Sequence, residues 1–358
     1  MKNVVLNKYL GSLAALAFYG YLMLYGEVAC AQSEPDQTGQ PPPEQQLTIL
    51  MYHHISNATP KSTSTSPKQF RAHLSYLKRA GYKVMPLHYA LERLYGFGYL
   101  PNKAVAITFD DGYSSVYENA LPILKAFDMP FTVFVSTESV EQNYADVMSW
   151  QQLRELQRFK GTIASHFHQH QHLTSQPLYK VKANFFKSYD LLEEKLGPVT
   201  PVVAYPYGEY NLSIAEFFEQ QGWYGVTQVS GPVSNYSNPQ AIPRFSFSGN
   251  YANTDQFNLK LNTLSMPILN QESYNPVVPK GSNYVKLSAK FASLPFDDRA
   301  ITCYYNDQLV PSTVWRERLL TLQAIVNIDE RSRVNCTAPS SNKKRYYWHS
   351  FLLIPEEL

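Results

Sequence analysis

The amino-acid sequence predicts an α/β fold, a (β/α) barrel followed by a small C-terminal β-sandwich-like domain, on three observations. Strand-like and helix-like segments alternate from Leu47 to Gln228. Polar residues able to do chemistry gather where the apolar strand-like runs stop. From about Glu272 the helical periodicity gives way to short alternating segments separated by Pro, Asn and Asp. Strand–helix alternation calls for parallel strands with helical crossovers, and residues at the C-terminal ends of such strands converge on the mouth of a barrel. An open doubly wound sheet is the alternative. With 358 residues, 44% of them hydrophobic, the chain can build one large core and a second, smaller one.

At the N-terminus, Lys2 and Lys8 precede an apolar run from Tyr9 to Gly26, and Ala29-Cys30-Ala31 leads into polar sequence. This is the layout of a secretory signal with a small-residue cleavage site, so residues 1–31 are read as a signal peptide. An uncleaved membrane anchor is the alternative, because about 20 apolar residues span a bilayer. Either way the folded part is expected outside the cytoplasm, periplasmic or secreted. Residues 32–46 contain Pro41, Pro42, Pro43 and several glutamines, the composition of a solvated linker. Cleavage after Ala31 leaves Cys303 and Cys336, an even pair in an exported chain, and a disulfide between them is expected.

The catalytic part is expected over residues 47–271 and the β-rich part over 272–358. Leu47–Tyr52 reads as the first strand and ends in His53-His54. Phe70, Leu74 and Leu77 mark an amphipathic helix over 67–80, stopped by Gly81. Tyr82–Leu87 reads as a strand, Ala90–Tyr95 as a short helix and Ala104–Phe109 as a buried strand. Then follow a helix over 114–127, a strand over 131–135, a helix opening at Ser149-Trp150 and a strand at 163–165. Beyond these come a helix over 179–196, a strand over 202–205, a helix over 213–221 and a strand over 225–228. In the C-terminal part, Tyr284–Phe291, Ala300–Tyr305 and Tyr346–Ile354 alternate as sandwich strands do. No glycine-rich phosphate loop follows a strand, so a nucleotide cofactor has no cradle. A formal charge of +2, with no basic cluster among aromatics, argues against a nucleic-acid partner.

Four constellations carry chemistry. Ile107 to Tyr113 reads ITFDDGY, an apolar strand that ends in two adjacent carboxylates. Alone, Asp-Gly is a common turn. Ser165 to Leu173 reads SHFHQHQHL and holds four of the nine histidines. His166 with His170, or His168 with His172, could grip one metal, and Asp111 would supply a carboxylate. An adventitious His-rich turn is the bland alternative. Asp110 would then be free to take a proton from a metal-activated water. Tyr205, Pro206, Tyr207 and Gly208 follow another strand, where proline could leave the next backbone N–H aimed into the site as an oxyanion donor. Tyr205 and Pro206 are expected to contact substrate. Arg244, in the apolar Ile242–Phe245, calls for a buried carboxylate, and Asp110 is the candidate.

Together ITFDDGY, SHFHQHQHL, AYPYGEY and IPRF, with LMYHHI ahead of them, resemble the metal-dependent polysaccharide deacetylase family of carbohydrate esterases. The resemblance covers about Leu47 to Gly249. His53 after the first strand, Met148-Ser149-Trp150 and AYPYG resemble more narrowly the branch with circularly permuted motifs, which includes poly-β-1,6-N-acetylglucosamine deacetylases. The resemblance implies a distorted (β/α)₇ barrel, with Asp110 as general base and Asp111, His166 and His170 on one divalent metal. Zinc suits that donor set, as do cobalt and nickel. It also implies a backbone amide at Tyr207 for the oxyanion, Arg244 beside the base, and His53 as the acid for the leaving amine. Three features depart from the family pattern. Phe167 replaces a Ser or Thr, Ala204 stands where many members have arginine, and no late Leu-x-x-His motif follows Arg244. The expected partner is an acetylated amino-sugar polysaccharide, with release of acetate. Chitin-like or peptidoglycan substrates, O-acetyl ester hydrolysis, a non-catalytic exported carbohydrate-binding protein and a periplasmic metal scavenger are the competing readings. Membrane association is expected only through an uncleaved N-terminal segment.

Overall fold

The computed structural model describes residues 45–356 except Phe97, Asn270, Glu272, Ser273, Asp307, Pro311, Glu317, Val326 and Asn327. The expected signal peptide and all but the last two residues of the expected linker lie outside the described residues. Among those described, no helix is long and apolar enough to cross a membrane.

Nine strands build one sheet: β1 (Gln46–Tyr52), β2 (Lys83–Val84), β3 (Ala104–Phe109), β4 (Phe131–Val135), β5 (Gly161–Ser165), β6 (Val202–Ala204), β7 (Tyr224–Val226), β8 (Val233–Ser234) and β9 (Phe245–Ser246). Their spatial order is β8-β1-β3-β4-β5-β6-β7, with β2 on β3 and β9 on β1. Every pairing is parallel except that of β8 with β1. A parallel bridge joins Val226 of β7 to Ile242, and three residues later Phe245 pairs with Leu50 of β1. The sheet thereby curls back on itself as a distorted barrel. All six residues of β3 are buried, as expected of a strand covered on both faces.

Crossovers run through α1 (Pro67–Arg79), α2 (Leu87–Tyr95), α3 (Leu121–Phe127), α4 (Thr137–Glu141), α5 (Trp150–Gln157), α6 (Leu178–Leu196) and α7 (Leu212–Gln220). Both α1 and α5 open on capping boxes, Ser66 with Gln69 and Ser149 with Gln152. In each, serine accepts from a free N–H of the first turn while glutamine reaches back to the cap. The expected strand over 82–87 is only Lys83–Val84, because Pro86 cannot donate to a ladder and its φ of −56° instead starts α2. The expected helix over 114–127 is present, starting at Ser114 and carrying a π-helical turn over Val116–Ala120 before α3.

Register decides where the chemistry sits. Tyr52 lies opposite Phe109, Val135 opposite Ser165, and Ser165 opposite Val203. Phe109 lies opposite Val133, so β4 and β5 run two residues past β1 and β3; these four strand ends are staggered by no more than that, and His53, Asp110, Ser136 and His166 follow them at one rim.

The C-terminal strands form two further sheets around their own apolar core, which includes Leu287, Phe291, Leu320, Leu322, Val334 and Phe351. One holds Tyr284–Phe291, Leu319–Ile325, Ser312–Arg316 and Ile268–Leu269; the other centres on Ser332–Pro339 and Tyr346–Pro355. Cys303 faces Cys336 across paired strands and the two are joined by a disulfide. The second sheet takes Leu264–Ser265 as a parallel edge on Tyr347 and Trp348. Trp348 also packs edge-on against Phe245 at 5.7 Å, and Ser350 Oγ donates to the Ser230 carbonyl.

Beneath the rim, Phe218 of α7 is fully buried against Phe185 (4.9 Å), Tyr205 (5.7 Å) and Phe167 (6.0 Å). Truncation there leaves a cavity between helices and sheet. Phe218→Ala should destabilise the fold by about 3–5 kcal/mol, read as a lower midpoint in chemical denaturation.

Candidate active site

Three non-glycine residues adopt left-handed backbone conformations at the rim: Asp111 (φ 70°), Phe167 (φ 65°) and Tyr207 (φ 57°). They follow β3, β5 and β6. Each costs roughly 1–2 kcal/mol, and such strain collects where side chains or amides must be aimed. Gly112, next to Asp111, has φ 74°, and a Cβ there would lie 2.9 Å from Val135 Cγ1. Glycine is favoured for the turn that follows the two aspartates.

Asp111, His166 and His170 converge. Asp111 Oδ1 lies 3.3 Å from His166 Nε2 and 3.5 Å from His170 Nε2, and the three donor atoms are within 4.8 Å of one another. His166 is fully buried. Its Nδ1 donates to the Ala204 carbonyl at 2.7 Å, which leaves Nε2 as the lone-pair nitrogen; that atom is buried with no hydrogen-bond partner. An orphaned acceptor facing a carboxylate and a second imidazole is the chemistry of a divalent-metal site, and these residues fit one. Burial, reinforced by the neighbouring His166 ring, pulls the His170 pKa down to about 4, so this ring is neutral and able to ligate at neutral pH. Burial opposes ionisation of Asp111, but His166, His53 and His170 outweigh it and hold the carboxyl well below its usual range.

Asp110, beside this cluster, sits in a buried ion pair. Arg244 Nη1 and Nη2 donate to Asp110 Oδ1 and Oδ2, both at 2.7 Å, with both side chains fully buried. Arg244 also donates from Nε to the Thr227 carbonyl (2.9 Å) and from Nη1 to Thr108 Oγ1 (3.1 Å). Burial pushes the Asp110 carboxyl up, and the guanidinium more than reverses this, so the group stays ionised.

His53 follows β1 at the same rim and lines, with Asp111, His170, Tyr113, Tyr144 and Tyr207, an open cleft of about 490 Å³. Its Nδ1 is buried and has no hydrogen-bond partner. Tyr207 sits in a one-turn 3-10 segment, Pro206–Gly208, closed by the Gly208 N–H on the Tyr205 carbonyl at 2.7 Å.

The substrate-contact expectation for Tyr205 and Pro206 is corrected. Tyr205 is fully buried, its hydroxyl donates to the Gln240 carbonyl at 2.9 Å, and it belongs to the core beneath α7. Pro206 is buried as well. Their side chains support the turn, and the cleft is presented with Tyr207 instead. The alternative histidine register does not converge among the described residues. His168 Nδ1 shares a hydrogen bond with Thr137 Oγ1, and His172 Nδ1 lies 2.8 Å from Glu209 Oε2. Phe167 turns into the aromatic core away from the cleft. Residues not singled out from sequence also border the site. Tyr113 stacks on His54 at 3.6 Å, and its place beside the Asp pair was the available signal. Ser136, Ser139 and Tyr144 had no motif to mark them.

Residues 98–226 match the family model for polysaccharide deacetylase. A poly-β-1,6-N-acetyl-D-glucosamine N-deacetylase of Staphylococcus aureus is 30% identical over 217 residues, covering 56% of this chain and 74% of the relative. Among solved structures, the Streptococcus pyogenes deacetylase PplD, in complex with acetate, superposes with a TM-score of 0.57 at 25% identity, covering 61% of this chain and 99% of that one. IcaB from Ammonifex degensii superposes with a TM-score of 0.54 at 25% identity, covering 61% and 97%. The chain belongs to the polysaccharide deacetylase family, enzymes that act on N-acetyl amide bonds.

Proposed function

We propose that this chain is a metal-dependent hydrolase that removes N-acetyl groups from an N-acetylglucosamine-containing polysaccharide outside the cytoplasm and releases acetate. The observation that carries the reading is the partnerless, buried His166 Nε2 facing Asp111 and His170 beside the ion-paired Asp110. The poly-β-1,6-N-acetyl-D-glucosamine N-deacetylase relatives support that substrate class, and the disulfide supports export.

Asp111, His166 and His170 would hold one divalent ion, zinc, cobalt or nickel. When bound, such an ion polarises a carbonyl oxygen and acidifies water. Asp110 accepts the proton of the attacking water. Its pairing with Arg244 makes it a weak base but a permanently ionised one, which suits a water that is already acidified. Arg244 also fixes both carboxylate oxygens in one plane, so the remaining lone pairs have a defined direction. The Tyr207 N–H stabilises the developing oxyanion. His53 protonates the departing amine from the cleft wall, so the acid and the base come from the adjacent strands β1 and β3.

Asp110→Asn should lower acetate release from a poly-N-acetylglucosamine substrate by about 10²–10⁴-fold while bound metal stays near one per chain; acetate assay and elemental analysis read the two. Retained turnover would sink the base assignment. Chelation should abolish acetate release and added divalent metal restore it, and His170→Ala should bind metal with about 10-fold or greater loss of affinity, read by equilibrium dialysis. Acid unfolding tests the ion pair. The Asp110 carboxyl is lower in the folded than in the unfolded chain, so its contribution is complete above the unfolded value of roughly 3.9. It is lost as pH falls through the folded value. The stability advantage of wild type over Asp110→Asn should hold from pH 7 to about 5 and shrink below about pH 4, followed by denaturant titration at each pH.

A further inference from the structure

Three tyrosines line the open cleft beside Asp111 and His170: Tyr113, Tyr144 and Tyr207. Two of them are already covered by neighbouring rings. Tyr113 stacks on His54 at 3.6 Å, and Tyr207 lies against His172 at 4.1 Å and His170 at 4.4 Å. Tyr144 is different. It is 54% exposed, and its side chain has no ring, cation or hydrogen-bond partner among the described residues.

The backbone under that ring is fixed. Beyond α4 the Tyr144 N–H donates to the Ser139 carbonyl (3.1 Å) and the Val147 N–H to the Tyr144 carbonyl (3.0 Å). Asn143 between them and the helix is left-handed at φ 52°, a conformation asparagine tolerates better than most residues. The same segment is tied to the loop that follows the Asp pair. The Ser114 N–H donates to the Asp146 carbonyl at 2.8 Å, the Met148 N–H donates to the Gly112 carbonyl at 2.9 Å, and Tyr113 bridges Val147. These bonds set the place of Tyr144 relative to Asp111 without help from its side chain.

An exposed ring on a fixed backbone forgoes burial that would stabilise the fold. Exposed tyrosines scattered singly are ordinary, and Tyr99, Tyr179 and Tyr284 are such residues outside the cleft. What sets Tyr144 apart is a free ring face inside the cleft that holds the candidate chemistry. A tyrosine ring is a rigid amphipathic surface that costs little entropy to order. Its apolar face suits the C–H face of a pyranose, whose hydroxyls can stay in water.

We propose that Tyr144 is a specificity-determining residue: its ring stacks on a pyranose ring of the polysaccharide and holds the glycan in the cleft beside Asp110 and Asp111. The inference rests on the reading of this cleft as the site of glycan deacetylation. The contact recognises sugar and not acetyl, so its loss falls on binding and leaves the chemical step alone.

The test measures acetate release from a pentamer of β-1,6-linked N-acetylglucosamine, with the β-1,4-linked pentamer as second probe. In Tyr144→Ala, KM should rise by about 3- to 10-fold, while turnover at saturation stays within about twofold of wild type. Tyr144→Phe keeps the ring and should match wild type in both. Adding Tyr144→Ala to Asp110→Asn should weaken pentamer binding by the same factor, read by isothermal titration calorimetry without turnover. Lower turnover at unchanged KM, or a lower denaturation midpoint in Tyr144→Ala, would make the ring a support of the site and overturn the proposal. An equal loss of affinity in Tyr144→Phe would place the contact on the hydroxyl and overturn it as well. Wild type that binds a pentamer through Tyr144 but releases no acetate would remove the hydrolytic reading and uphold the stacking contact. Wild type that binds neither pentamer would overturn the stacking contact itself.

Discussion

The buried pair between Asp110 and Arg244 joins the barrel's closure to its chemistry. Arg244 lies between Ile242, bridged to the last parallel strand, and Phe245, paired with the first. Its guanidinium reaches across to the end of β3. Stripping water from both charges costs several kcal/mol per ion, and such pairs hold only when geometry and further hydrogen bonds are nearly complete. Here the fork meets the carboxylate with two bonds, and Thr227 and Thr108 take two more. Replacing both charges by well-packed apolar residues of similar volume would serve stability as well or better. What it would not supply is a carboxylate kept ionised and oriented at the rim, so the pair is better explained by function than by stability.

The same rim concentrates strain. Asp111, Phe167 and Tyr207 each sit in a left-handed conformation directly after a strand, and three such residues in one core-lined rim are offset by what surrounds them. Phe167 is locked among Phe185 and Phe218, with its N–H on Ser165 Oγ. Its left-handed turn swings the chain so that His166 and His170 reach the same carboxylate. The departure from a Ser or Thr at this position is thus an exchange of a hydroxyl for aromatic packing on the far side of the backbone. The ligand geometry depends on the backbone at 167 and not on a polar group there.

Much of this was legible in the sequence because chemistry followed strand ends. The Asp pair, the histidine cluster, the AYPYG turn and Arg244 each follow an apolar run, and a near-level parallel register brings such ends together whatever the loops between them do. At Tyr205 strand parity overrides the motif. Val203 and Tyr205 share the face beneath the helices, whereas Val202 and Ala204 face the inner core. Parity thus places the Tyr205 ring inside. The choice between His166 with His170 and His168 with His172 depended on a left-handed residue at 167, which spacing alone does not encode. Pro86 did announce the start of α2, but hydrophobic continuity through Met85 and Leu87 masked it.

The contact of Arg331 with Tyr207 had no signal in the sequence, because it is made by tertiary pairing. Its physical basis lies in how the C-terminal sheets are attached. Leu264–Ser265 joins them as a strand of the ladder, Arg345 donates to the Asn262 and Thr263 carbonyls, and Trp348 covers Phe245 beside Arg244. A part hung on a flexible linker would leave the separation between Arg331 and the turn free to vary, and a single hydrogen bond worth about 1 kcal/mol could not hold it. Attachment through a ladder, several side-chain bonds and an aromatic contact fixes that separation in advance. The bond to the Tyr207 carbonyl then costs little additional ordering, and nearly all of its modest energy is available to hold the Tyr207–Gly208 peptide against the C-terminal sheets.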